Sequence, residues 1–298
     1  MRMRAGPMMQ RLAVALCVLV GGGEACARAV APSSPLPAER PLPPVPLQGH
    51  VERDGARIWY GALGAGSPVI LLHGGMSSSR AWGEQVSPLV AAGHRVILID
   101  SRGHGRSTLG DGPLSYERMA DDVLAVMNQL KLDKPAIVGW SDGGIIALVL
   151  AMRRGDRLSR VYAFGANMDL QGVRSNAADA PILKQVAPRL IADHAALSPT
   201  PDGFAQLHQA VRAMQRSQPD YSASQLASLR GPAVMIAGGA EDEFVTAEHQ
   251  AYLARVIPGA QLRLLAGSGH FAPWQQPDVF NREVIAFLGG RGPASQPK

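Results

Sequence analysis

Cysteine is nearly absent from this chain of 298 residues, and both copies, Cys17 and Cys26, fall within the first 29. Everything after that point is therefore free of disulfides and of cysteine-based zinc sites. Charge is also sparse. Asp, Glu, Lys and Arg make up 18% against 46% apolar residues, and no long run of one sign occurs. This composition excludes a disordered, collagen-like or coiled-coil chain. The net charge is +5, of which residues 1–29 contribute +3 (Arg2, Arg4, Arg11 and Arg28 against Glu24), leaving +2 for the remainder. A body so nearly balanced lacks the basic footprint of a dedicated nucleic-acid binder. The apolar run at residues 12–20 is nine residues long, well short of the roughly 20 needed to cross a bilayer as a helix.

What is present at the start reads as an export signal. Arg2, Arg4 and Arg11 form a positive region, the apolar run follows, and Gly21-Gly22-Gly23 breaks it. Small residues then offer cleavage after Ala27 or Ala29. The expected location is secreted or periplasmic, with residues 1–29 removed. A lipoprotein anchored at Cys26 is the alternative, although Glu24-Ala25 departs from the small residues such a site prefers. Residues 30–49 are predicted to be a linker, because seven prolines between residues 31 and 49 favour an extended tether. The folded body is expected over residues 50–290, with a flexible tail at 291–298.

Within the body, short all-apolar runs alternate with helical periodicity. Residues 51–63 read as a hairpin turning at Asp54-Gly55. Residues 68–72, 95–100, 135–139, 160–164, 232–237 and 261–265 read as buried strands. Helices are predicted at 80–92, 116–130, 143–152, 247–256 and 278–288. The fold class is therefore α/β, a mainly parallel sheet with helices on both faces. Residues 170–228 contain no strand run and hold helix-like stretches at 181–190, 204–214 and 222–229. They are expected to form a small helical cap over the strand ends, where open α/β sheets bind ligands. Ile182, Leu183, Leu190, Phe204, Leu207 and Met214 supply this cap with apolar side chains for its own core or for a pocket.

Four loops after predicted strands carry the chemistry. Gly139-Trp140-Ser141-Asp142-Gly143-Gly144 joins a strand to a helix, the setting in which G-x-S-x-G lifts a serine hydroxyl above the sheet. That hydroxyl needs a base. Of eight histidines, His270 lies in Gly267-Ser268-Gly269-His270-Phe271, after the last strand and on the same side as Ser141. His208 and His249 fall in helices and are expected at the surface, while His194 lies in the cap. The base needs an orienting carboxylate. Asp242 in Gly239-Ala240-Glu241-Asp242 is the choice, Asp169 the rival, and Glu241 and Glu243 are expected to face water. An oxyanion needs preorganised donors. His73-Gly74-Gly75-Met76 can present the N–H of Gly75 or of Met76, alongside that of Asp142.

Taken in chain order, HGG, GWSDGG, GAED and GSGHF resemble the α/β-hydrolase family over roughly residues 50–289, and within it the capped, single-domain esterase branch. The resemblance implies a catalytic triad of Ser141, Asp242 and His270, an oxyanion hole at Gly75 and Asp142, and substrate contacts at Trp140 and Met76. It also implies structural roles for Asp100, Arg102 and His104. Ser141 departs from the aspartate that the family's epoxide hydrolases and haloalkane dehalogenases carry, and Met76 departs from the HGGPG of its iminopeptidases. The implied function is hydrolysis of a small ester or related acyl substrate with no metal or organic cofactor. Acyl transfer and perhydrolysis are the chemical alternatives, and a non-catalytic binding module on the same fold is the alternative from another class.

Overall fold

A computed structural model describes residues 36–290; the expected export signal, the first part of the linker and the tail lie outside the described residues. Eight strands form one sheet in the order β1-β2-β4-β3-β5-β6-β7-β8. They are β1 (Leu47–Arg53), β2 (Ala56–Leu63), β3 (Ser67–Leu72), β4 (His94–Ile99), β5 (Ala136–Trp140), β6 (Arg160–Phe164), β7 (Ala233–Gly239) and β8 (Gln261–Leu265). β1 and β2 pair antiparallel, β2 pairs antiparallel with β4, and β3 to β8 run parallel. Parallel pairing brings the loops after β3, β5, β6, β7 and β8 to one edge of the sheet.

The helices are α1 (Gly83–Ala91), α2 (Tyr116–Gln129), α3 (Asp142–Arg154), α4 (Leu183–Leu197), α5 (Phe204–Gln215), α6 (Ala223–Leu226), α7 (Ala247–Val256), α8 (Ala272–Gln275) and α9 (Pro277–Leu288). The period-2 alternation of the all-apolar strands divides their side chains between two cores. Ile70, Leu72, Ile97 and Ile137 face α2, α3 and α7, whereas Val69, Leu71, Val96 and Val138 face α1 and α9. Burial on both faces is what removes polar residues from these strands.

The body begins earlier than His50. β1 starts at Leu47, and from Leu36 the proline-rich segment lies against the body instead of hanging as a tether. Leu36, Leu42 and Val45 pack on the core, Leu36 N–H donates to Gln185 Oε1 at 3.0 Å, and the Arg40 carbonyl occupies the space where Gly83 would carry a Cβ. Closely spaced prolines disfavour helix and sheet pairing, yet they leave interleaved apolar side chains free to pack from an extended segment.

The cap lies between β6 and β7, as expected. Its helix α4 runs to Leu197, seven residues beyond the predicted end. The extension buries Asp193 and His194 through polar contacts, to Arg80 at 3.1 Å and to the Thr200 carbonyl at 3.0 Å, so no apolar stripe marks it in the sequence.

Candidate active site

The turn carrying Ser141 depends on two glycines packed without room for side chains. A Cβ on Gly139 would lie 2.3 Å from the Gly143 carbonyl oxygen, and one on Gly143 would lie 2.1 Å from that of Leu72. Ser141 itself takes φ 55° and ψ −121°, a backbone state that costs a non-glycine residue roughly 1–3 kcal/mol. Its N–H donates to the Phe164 carbonyl at 2.8 Å, which anchors the turn to β6.

Asp242 follows β7 and His270 follows β8. His270 Nδ1 lies 2.8 Å from Asp242 Oδ2, and both side chains are buried. The other carboxylate oxygen accepts from the N–H groups of Phe244 at 2.8 Å and Val245 at 2.9 Å. An acidic partner at Nδ1 puts the proton of a neutral ring there and leaves the lone pair on Nε2. Burial pushes the imidazolium form down, but the charge and hydrogen bond of Asp242, joined by Glu243 and Asp142, outweigh it, and the His270 pKa is raised.

Glu243 does not simply face water. Its Oε2 accepts from the His270 N–H at 2.9 Å, while Trp140 Nε1 donates to the His270 carbonyl at 2.8 Å. The backbone of His270 is thus gripped on both sides. Glu241 is exposed. Asp169, the rival acid, instead accepts from Gly172 N–H at 3.1 Å and lies 3.8 Å from His249. His249 is also not a surface residue: it is buried, and its Nε2 accepts from Met168 N–H at 3.0 Å. A buried helical histidine satisfied by a backbone N–H carries no periodic signal in the sequence.

The glycine loop after β3 is held by two neutral histidines. His73 Nε2 accepts from Ser101 N–H at 3.0 Å, and His104 Nε2 accepts from Met76 N–H at 3.1 Å. Burial lowers the pKa of both, that of His104 to about 3. The Met76 N–H is therefore engaged, which favours Gly75 of the two candidate donors. Met76 stands at φ 63°. Asp100 accepts from Ser79 N–H at 2.7 Å and Arg106 N–H at 2.9 Å, and the fully buried Arg102 pairs with Asp122 at 2.6 Å. These contacts give Asp100, Arg102 and His104 the structural roles expected of them.

Asp142 opens α3 with a buried carboxylate. Oδ1 accepts from Tyr116 Oη at 2.9 Å, and Gln215 Nε2 lies 3.2 Å from each oxygen. Burial raises its pKa, while those two hydrogen bonds oppose the rise.

Ser141, His270, Gly75, Met76, Trp140 and Asp142 line one cavity of about 530 Å³. Trp140 is 2% exposed and is packed against Phe271 and Trp274, so most of its surface supports the wall rather than the cavity. Leu183, Leu190 and Trp274 form an apolar side, and His208, Arg212 and Gln215 a polar one. Of the other cap side chains, Ile182, Leu207 and Met214 are cap and body core, and Phe204 stacks edge-on to His194. His208, Arg212 and Gln215 have the i, i+4, i+7 spacing of one helix face, the signal by which the sequence could have disclosed them. Tyr116 and Glu243 carry no such signal.

The model of the alpha/beta hydrolase family matches residues 69–283. The chain belongs to that family. Among relatives of this alpha/beta hydrolase is a 2-hydroxy-6-oxo-6-phenylhexa-2,4-dienoate hydrolase of Burkholderia cepacia, 29% identical over 265 residues, covering 78% of this chain and 91% of the relative. A 2-hydroxy-6-oxononadienedioate/2-hydroxy-6-oxononatrienedioate hydrolase of Cupriavidus pinatubonensis is 28% identical over 264 residues, with 78% and 91% covered. Among solved structures, a meta-cleavage product hydrolase from Pseudomonas fluorescens superposes with a TM-score of 0.70 at 25% identity, over 83% of this chain and 98% of that one. An N-acyl homoserine lactone degrading enzyme gives a TM-score of 0.64 at 29% identity, over 81% and 99%. The protein is thus a hydrolase whose relatives act on small molecules. Among the described residues, no helix is long and apolar enough to cross a membrane, and no group of three or more His, Cys, Asp or Glu could hold a metal ion.

Proposed function

We propose that this hydrolase cleaves small acyl substrates through an acyl-enzyme on Ser141. The observation that carries the reading is the buried His270–Asp242 hydrogen bond of 2.8 Å on the cavity that Ser141 and Gly75 also line. His270 Nε2 takes the Ser141 proton as Oγ attacks the carbonyl. Asp242 holds the ring in the required tautomer and stabilises the imidazolium. The N–H groups of Gly75 and Asp142 receive the oxyanion. The imidazolium returns its proton to the leaving group, and the neutral ring then activates water to release the acid.

The cavity suggests a substrate with an apolar part and a carboxylate. Arg212 lines it with His208 one helical turn earlier, and neither has an ion-pair partner among the described residues. An unpaired guanidinium on a cavity wall suits an anionic substrate group. This observation also supports a second reading. Several relatives are named as hydrolases of 6-oxo-dienoates and -dioates, and on such a substrate Ser141 of this chain would attack the ketone carbonyl and break the adjacent carbon–carbon bond.

A panel of p-nitrophenyl esters of increasing chain length, with and without a terminal carboxylate, tests the substrate class, run beside lactones, amides and a 2-hydroxy-6-oxo-dienoate. The carboxylate esters are expected to show KM values about 2- to 5-fold below neutral esters of equal length, the upper scale of one exposed ion pair. Arg212→Met is expected to erase that difference while kcat holds. Equal KM values for charged and neutral esters would remove Arg212 from substrate recognition.

The base also predicts a pH profile. Only neutral His270 can accept the proton, and its pKa is raised above the ordinary 6.5, so activity is lost as pH falls through that raised value. The profile of kcat/KM is expected to have its half-maximum above 6.5. A flat profile from about pH 5 to 9, with chemistry limiting, would rule His270 out as the base.

A further inference from the structure

The carboxylate of Asp142 has an unusual setting for a group beside an oxyanion hole. It is buried, and its side-chain partners are two neutral donors from different parts of the chain, Tyr116 Oη on α2 and Gln215 Nε2 at the last residue of the cap helix α5. The cap grips the same spot a second time, since Tyr116 N–H donates to Gln218 Oε1 at 3.3 Å. On its far side the carboxylate meets the glycine loop. A Cβ built on Gly75 would fall 2.6 Å from Asp142 Oδ2 and 3.2 Å from Gln215 Nε2. Gly75, Asp142 and Gln215 are therefore in mutual contact, with the carboxylate as the spacer between the loop after β3 and the start of α3.

We infer that Gln215 and Tyr116 are positioning residues, which clamp the Asp142 carboxylate between the two loops that supply the oxyanion donors and so couple the seating of the cap to the alignment of those donors. The inference rests on the assignment of the Gly75 and Asp142 N–H groups made above. Its physical basis is the narrow tolerance of such a site. Donors work at about 2.7–3.1 Å from the developing oxyanion, so a carboxylate free to change rotamer by even part of a staggered well would shift Gly75 or the first turn of α3 by a comparable distance. Two hydrogen bonds from Gln215 to both oxygens, and a third from Tyr116, hold that rotamer. When α5 is displaced the clamp opens, and the hydrolase loses transition-state stabilisation before it loses its substrate pocket.

Gln215→Met keeps side-chain length and removes both donated hydrogen bonds, and Tyr116→Phe removes one hydroxyl from a buried ring. For each variant, kcat and KM are measured on p-nitrophenyl acetate and hexanoate, together with the inhibition constant of phenylboronic acid. That acid bonds through boron to Ser141 Oγ as the hydroxyl proton passes to His270, giving a tetrahedral anion. The expected result is a kcat loss of about 10- to 100-fold, below the cost of deleting an oxyanion donor outright. KM should stay within about twofold and boronate affinity should fall in step with kcat. The loss should be equal for the two esters, and the double variant should be less than additive. A rise in KM at constant kcat, a loss that depends on chain length, or unchanged kinetics would each overturn the inference. Wild-type protein that reacts with a fluorophosphonate while the variants react equally fast overturns the clamp alone. Wild-type protein inert to that probe overturns the serine mechanism and the clamp with it.

Discussion

Ser141→Ala is expected to abolish fluorophosphonate labelling and to remove turnover of every ester that the wild type hydrolyses. The expectation follows from how the turn is built. Ser141 holds φ 55° because Gly139 and Gly143 leave no space for any other path between β5 and α3, and alanine tolerates the same backbone about as well as serine. The substitution therefore deletes one hydroxyl and leaves the elbow standing. Removal of the nucleophile from a triad costs on the order of 10⁶ in kcat, and what survives reflects binding and the oxyanion donors alone. Circular dichroism of the variant should match wild type. Labelling that persists in the folded variant would place the nucleophile elsewhere and would falsify the mechanism.

The second large effect separates two aspartates that follow neighbouring strands. Asp242→Asn is expected to lower kcat by about 10⁴, because an amide opposite Nδ1 leaves the imidazole in the wrong tautomer. The two N–H groups from Phe244 and Val245, at 2.8 and 2.9 Å, can still be accepted by the amide oxygen, so the loop should keep its shape and KM should change little. Asp169→Asn should leave kcat near wild type. Asp169 accepts from Gly172 N–H and stands by His249, not His270, and the amide oxygen of Asn keeps that cap, so stability should change little. Measuring kcat, KM and the thermal midpoint for both variants decides between them. A crippled Asp169→Asn beside a near-normal Asp242→Asn would reverse the assignment of the orienting acid.

The loops of the candidate site are legible in the sequence to very different degrees. GWSDGG was readable because its function is local: glycines, a serine and the flanking strand and helix are all within a dozen residues. The same holds for His270, whose loop follows a strand ending at the same sheet edge. Asp242 is one of three consecutive acids, of which a loop turning after a strand directs one inward, and the expectation that its neighbour Glu243 faces water does not hold. Whether Glu243 faces water or reaches the His270 N–H depends on where the loop after β8 passes, 27 residues further along the chain.

The proline-rich segment illustrates the same division from the other side. Its composition correctly excludes helix, and residues 36–46 are indeed outside helices and strands. Composition is silent on whether an extended segment finds a groove, and Leu36, Leu42 and Val45 find one on the core.

What the amino-acid sequence by itself determined is therefore the alternation of strands and helices, the parallel sheet, the cap between β6 and β7, and the three loops that bear Ser141, Asp242 and His270. Each follows from periodicity, glycine placement or chain order, which are properties of short windows. Only the tertiary structure decided that Met76 N–H is engaged by His104 and that Asp169 serves His249. It also decided that Trp140 and Glu243 grip the His270 backbone, and that Tyr116 and Gln215 converge on Asp142 from 26 and 73 residues away. Those partners meet because separate elements are packed against one sheet edge. A hydrogen bond across such a distance is set by the packing of whole helices, and leaves no mark on the local pattern of residues that a sequence displays.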